Sequence, residues 1–167
     1  PSIPGASASD SVLIQSESGD SSAVLLDWPP SQGSNYVLYL DGTDHLTLRG
    51  LTLQRSGTGS KADSRLLWLD NDTDSCRITR CRFVGSDTAS HENRELIYLA
   101  NDDAIGLEIT ENALLYGDQG VFLQASFLYT TTGVRIADNQ FTDQHHRALS
   151  LQYLVAPTLQ GNAISSN

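Results

Sequence analysis

At 167 residues the chain has the length of one domain, enough to bury most of a core. Its formal charge of −10 repels a phosphate backbone and argues against nucleic acid as a partner, and no run of about eighteen apolar residues is present to span a membrane. Two cysteines, Cys76 and Cys81, are too few for a disulfide scaffold.

In chain order, residues 1–11 are rich in Pro, Ser and Gly and read as a linker or N-terminal cap. The chain starts at Pro1 and contains no methionine, so the expectation is a processed piece of a longer chain, its leader removed and neighbouring domains as partners. Residues 12–167 form the one predicted domain, which repeats a single spacing: apolar, any, apolar, two more residues, a ladder position, any, apolar. It recurs as Leu46/Leu48/Leu51/Leu53, Cys76/Ile78/Cys81/Phe83, Leu107/Ile109/Asn112/Leu114, Val134/Ile136/Asn139/Phe141 and Pro157/Leu159/Asn162/Ile164. The ladder position falls at 51, 81, 112, 139 and 162, spacings of 30, 31, 27 and 23 residues. A period in that range signals a solenoid, and alternation within each unit calls for strands.

Each unit carries an earlier strand as well, at 37–40, 66–69, 96–99, 121–123 and 149–151. Alternation puts Leu38/Leu40, Leu67/Leu69, Ile97/Leu99, Val121/Leu123 and Leu149/Leu151 on the inner face. Residues 12–14 match the second strand one coil earlier. No segment shows apolar residues at i, i+3, i+4 and i+7 over ten or more residues, so helices are not expected. The predicted fold is all-β: a single-stranded parallel β-helix of about five coils, with three short strands per coil.

At the ladder, Asn112, Asn139 and Asn162 can bond to one another along the axis, while Leu51 and Cys81 replace them with apolar packing. Cys76 and Cys81 occupy positions otherwise held by Leu, Val or Asn and read as small buried residues, with a local disulfide as the other option. Arg77, Glu108 and Arg135 alternate in sign on the outer face of successive second strands, a stabilising surface stripe. Insertions collect at the third turn, residues 56–64 and 85–94, against a short 116–120 in the next coil. Loops inserted on one side of a solenoid often form its binding face.

The runs at 14–20, 36–42 and 45–53 (IQSESGD, YVLYLDG and HLTLRGLTL) resemble the right-handed parallel β-helix repeat proteins of the pectin-lyase-like superfamily, in particular large secreted or cell-surface members of Bacteroidetes-type bacteria. The likeness runs from Val12 to Ile164. It implies right-handed coiling, a secreted or cell-surface location and a role connected with polysaccharide. The superfamily includes lyases, hydrolases, epimerases, adhesins and non-catalytic modules, so fold alone does not choose an activity.

Three constellations are candidate sites. The first is acidic: Asp41 and Asp44, then Asp70, Asp72 and Asp74, then Asp102 and Asp103, at one turn of consecutive coils. Like charges that close must fan into water or share a cation, and with Asn71 and Asn101 they could supply the six to eight oxygens of Ca2+. The resemblance points the same way, since pectate-lyase-type members hold calcium against a uronate. Asp and Asn also suit turns on their own account.

The second is aromatic. Tyr39, Trp68, Tyr98 and Phe122 alternate with inward residues and point outward on four successive coils, with Val37, Leu66 and Leu96 expected beside them. Such a stripe is either covered or used, and its rings could stack on sugars. The third gathers His91, Glu92, Arg94, His145, His146 and Arg147 near the third turn. A lyase needs a base for the proton α to a uronate carboxyl and a cation for the resulting charge; a hydrolase needs two carboxylates facing one bond.

The leading expectation is a non-catalytic β-helix module that binds polysaccharide along the aromatic stripe. The competing class is an enzyme, a calcium-assisted lyase or a glycoside hydrolase acting on acidic polysaccharide. A third reading makes the stripe an adhesion or protein interface.

Overall fold

In the computed structural model, residues 7–29, 35–56, 65–87, 94–128 and 131–166 are described. They form a parallel β-solenoid built coil on coil. The opening coil is β1 (Val12–Gln15), β2 (Leu25–Trp28) and β3 (Tyr36–Asp41), followed by β4 (Leu46–Arg49), β5 (Thr52–Arg55) and β6 (Arg65–Asp70). Then come β7 (Arg77–Thr79), β8 (Arg82–Val84) and β9 (Glu95–Ala100), and β10 (Glu108–Thr110), β11 (Ala113–Leu115) and β12 (Gln119–Gln124). A short β13 (Thr131–Thr132) precedes β14 (Arg135–Ala137), β15 (Gln140–Thr142) and β16 (Arg147–Gln152). The chain closes with β17 (Leu154–Val155), β18 (Thr158–Gln160) and β19 (Ala163–Ser165).

Three sheets run the length of the stack. Sheet I is β3-β6-β9-β12-β16, sheet II is β1-β4-β7-β10-β14-β18, and sheet III is β2-β5-β8-β11-β15-β19; β13 and β17 pair separately. Every pairing is parallel. The stack amounts to about four turns, against the five expected. β1, β2, β18 and β19 are mostly exposed. Among the described residues no helix is long and apolar enough to cross a membrane.

The repeat spacing fills the interior as expected. Leu48, Ile78, Ile109 and Ile136 stack in sheet II, and Leu53, Phe83, Leu114 and Phe141 in sheet III, all 0–1% exposed. Each buried side chain of this size contributes about 1.5–3 kcal/mol of transfer free energy. Sheet I adds Leu67/Leu69, Ile97/Leu99 and Val121/Leu123. Cys76 and Cys81 are buried free thiols, and burial pushes Cys76 up to about 11, which keeps it unreactive.

The bend between sheets II and III is made by one residue per coil in the left-handed region: Gly50, Arg80, Glu111, Asp138 and Gly161, with φ of 53–63°. Glycine adopts this freely; the three larger residues are held there by the stack. The ladder residue follows, and its geometry is regular. Asn112 donates through Nδ2 to Ile78 O and Asn139 Oδ1, Asn139 to Ile109 O and Asn162 Oδ1, and Asn162 to Ile136 O, at 2.8–3.0 Å. Each Oδ1 also accepts the main-chain N–H of the preceding ladder residue: Cys81, Asn112 and Asn139.

The corner between sheets III and I is closely packed against backbone. A Cβ on Gly120 would lie 2.6 Å from both Ala148 O and the Phe141 ring, although no positive φ is involved. Gly120→Ala is therefore expected to cost about 1–3 kcal/mol through forced displacement of backbone, read as a lowered melting temperature.

The same corner corrects one expectation. Leu66 and Leu96 were expected outward on the stripe, yet each is 1% exposed. Strict alternation fails there because two successive side chains, 66/67 and 96/97, turn inward as the chain leaves the corner. Leu96 closes against Gly85 and Gly117.

Candidate functional site

The outward face of sheet I carries the aromatic row in register. Tyr39 pairs with Trp68, Trp68 with Tyr98, and Tyr98 with Phe122, all partly exposed. The rings contact one another along the axis: Tyr39–Trp68 edge to face at 5.3 Å, Trp68–Tyr98 edge to face at 5.7 Å, and Tyr98–Phe122 stacked at 5.4 Å. Tyr36 extends the row, stacked on Tyr39 at 5.1 Å. Such pairs add about 0.5–1.5 kcal/mol each beyond their burial. The Tyr39 hydroxyl donates to Asp70 Oδ2 at 2.6 Å, which raises its pKa.

Beside the rings runs a second row at the register 36, 65, 95, 119 and 147, polar and buried at its three middle positions, Arg65, Glu95 and Gln119. Arg65 and Glu95 are 8% and 3% exposed and form an ion pair at 3.2 Å. The Arg65 guanidinium carbon sits 3.5 Å from the Tyr98 ring centroid and 4.7 Å from that of Trp68. Tyr98 is thus held between Arg65 of the preceding coil and Phe122 of the following one. Gln119 is buried beside Glu95, and its Oε1 has no hydrogen-bond partner among the described residues. Burial raises the Glu95 pKa, with Arg65 opposing the shift. Individual sequence positions did not single out this row. Its signal was the polar residue three places before each outward aromatic: Arg65 before Trp68, Glu95 before Tyr98 and Gln119 before Phe122.

The proposed catalytic residues are distributed unevenly. His91 and Glu92 lie outside the described residues. Arg94 is buried, and its carbonyl accepts the Asp118 N–H at 3.1 Å. His145, His146 and Arg147 are exposed; of these, His146 approaches a carboxylate, with Nδ1 3.8 Å from Oδ2 of the buried Asp118. The structure therefore brings Arg94, Asp118 and His146 to the third-turn end of sheet I. Asp118 was absent from the sequence candidates.

The seven aspartates share one turn as expected, but they spread along the axis, and six of them accept hydrogen bonds through their carboxylates. Asp44 Oδ1 takes the Asp74 N–H at 2.9 Å, and Asp74 Oδ1 takes that of Ile105 at 2.6 Å. Asp102 Oδ1 receives the N–H groups of Asp72 and Asp103, and Asp103 Oδ1 the Thr131 hydroxyl. Asp41 accepts from Asn71, and Asp70 from Tyr39. Among the described residues no three His, Cys, Asp or Glu side chains gather to hold a metal ion. Oxygens committed to separate N–H and O–H groups do not fit a Ca2+ shell, so no chemistry is routed through calcium.

Desolvation first, and neighbouring carboxylates after it, raise Asp72 and Asp74, as burial raises Glu95. A carboxyl with a raised folded pKa binds its proton more readily folded than unfolded, so stability grows as pH falls through the folded value. The melting temperature is expected to rise between neutral pH and the ordinary carboxylate range near about 4. A melting temperature that falls steadily over that window would contradict the burial of Glu95.

No protein-family model matches the sequence, and no curated protein or solved structure matches it. The class that the architecture itself defines is the parallel β-solenoid.

Proposed function

We propose that the chain is a non-catalytic β-helix module of a secreted or cell-surface bacterial protein, and that it holds an extended polysaccharide along the outward face of sheet I. One observation carries this reading: partly exposed aromatic side chains stand in register on four coils, Tyr39, Trp68, Tyr98 and Phe122. Coils repeat every ~4.8 Å, close to the length of one sugar residue, so a chain laid along the axis would meet one ring per residue. Asp70, Gln124 and Gln152 border the row and offer hydrogen-bonding groups for hydroxyls. The sequence resemblance to pectin-lyase-like proteins supports the same assignment.

Because Tyr98 is clamped by Arg65 and Phe122, Tyr39 and Trp68 are the rings to remove. In affinity electrophoresis through neutral and acidic polysaccharides, the protein should be retarded by its ligand. Tyr39→Ala combined with Trp68→Ala should weaken that retardation about tenfold or more, at about 1–1.5 kcal/mol per ring, with the circular dichroism spectrum unchanged. Equal retardation of both proteins, or none with any polysaccharide, would remove the proposal.

A second reading, a polysaccharide-degrading enzyme, is favoured by the buried Glu95 with its raised pKa beside Arg65, and by the Asp118–His146 approach. Perturbed groups of this kind cluster at catalytic sites. Release of unsaturated products or new reducing ends from the same panel, lost in Glu95→Gln, would replace the first reading with this one.

A further inference from the structure

The outward face of sheet II is where positive charge collects. Four of the chain's ten basic residues, Arg49, Arg77, Arg80 and Arg135, line one shallow groove of about 550 Å³ there, in a protein whose net charge is −10. Three of the four are paired with carboxylates. Arg77 donates to Glu108 of the next coil through Nε and a terminal nitrogen, both at 3.0 Å. Arg80 Nε meets Glu111 Oε2 at 2.8 Å, and Arg135 approaches Asp138 at 3.9 Å.

Register explains why the fourth is different. Glu108 follows Arg77 one coil later, whereas Arg49 has Gln15 before it and Thr79 after it, neither of them charged. The Arg49 guanidinium has no hydrogen bond or ion pair among the described residues, although the residue is half-buried. Along the same row lie two hydroxyls that face outward and are nonetheless buried, Thr79 at 9% and Thr110 at 5% exposure. Thr110 Oγ1 donates to Thr79 Oγ1 at 3.2 Å, so the Thr79 proton is left for another acceptor, and none is supplied among the described residues. A partly desolvated guanidinium fork beside an unused hydroxyl proton is a match for a carboxylate, which accepts two parallel N–H bonds and has lone pairs to spare.

We propose that this groove binds a small hydroxylated carboxylate, its acid group held by Arg49 with the Thr79 hydroxyl. The ligand does for Arg49 what Glu108 does for Arg77. Glu108 and Glu111 also line the groove, so the remainder of the ligand meets acceptors. That favours hydroxyl groups, which can donate to a carboxylate, and disfavours a second acid group, which like charge repels. The site lies on a different sheet from the aromatic row and stands or falls independently of polysaccharide binding there.

Gluconate is the probe, titrated into the 15N-labelled protein at constant ionic strength while the amide signals of Thr79 and Arg80 are followed by NMR. Sorbitol supplies the hydroxyls without the acid, and chloride the charge without the carboxylate. Gluconate should shift both signals saturably with a dissociation constant of about millimolar, while sorbitol and chloride leave them in place. Arg49→Gln should weaken binding about tenfold or more, and Arg49→Lys, which keeps the charge but loses the fork, should fall between the two. Circular dichroism melts confirm that both variants are folded. No saturable shift with gluconate would overturn the proposal. So would equal shifts with chloride, which mark a general ionic response, or unchanged affinity in Arg49→Gln, which marks another site.

Discussion

Asn139→Ala is expected to destabilise the protein by about 2–4 kcal/mol, seen as a lower urea midpoint with an unchanged slope. Asn139 is 0% exposed and joins three coils. Its Oδ1 accepts from both the main-chain N–H and the Nδ2 of Asn112, and its Nδ2 serves Ile109 O and Asn162 Oδ1. Truncation leaves several of these buried groups without a partner, each costing about 1–3 kcal/mol before water or relaxation recovers part of it. Asn162→Ala should cost less, since that residue is only partly buried and water can replace it. Equal losses at both positions would mean that the ladder does not act as a buried network.

Arg65→Ala is expected to cost about 3–5 kcal/mol at neutral pH, because it leaves the Glu95 carboxylate buried and unpaired. It also strips the cation from the faces of Trp68 and Tyr98. The penalty should shrink as pH falls. Glu95 already has a raised pKa, and loss of its cationic partner raises it further, so protonation discharges the buried group. Chemical denaturation at neutral pH and about two pH units lower separates this from loss of packing, which would be the same at both.

The legibility of the chain differs from element to element. The pattern Leu46/Leu48/Leu51/Leu53 and its four successors placed the second and third strands of every coil, because the bore accepts only apolar side chains at a fixed interval. The Asn ladder was equally plain, since an amide repeating at one bend has few other uses. Corners were less legible. Leu66 and Leu96 obeyed period-two alternation on paper, but the entry into sheet I turns two neighbours inward, and Leu96 packs where Gly85 and Gly117 carry no side chain.

The site was half legible. Tyr39, Trp68, Tyr98 and Phe122 announced an outward row, while the buried polar row beside it did not. Arg65, Glu95 and Gln119 are charged or polar residues at a strand entrance, and nothing local shows that the neighbouring coil will bury them. The acidic turn was legible as a cluster but not in its bonding: six of the seven carboxylates, all but that of Asp72, accept hydrogen bonds, most of them from one coil away.

By itself, then, the sequence determined the coil, its strands, its ladder and the side on which aromatic rings project. These follow from periodicity, a property of neighbours along the chain. Tertiary structure alone decided which polar groups are buried and which donors each carboxylate meets. Those depend on what the adjacent coil, roughly thirty residues away, places about 4.8 Å above or below.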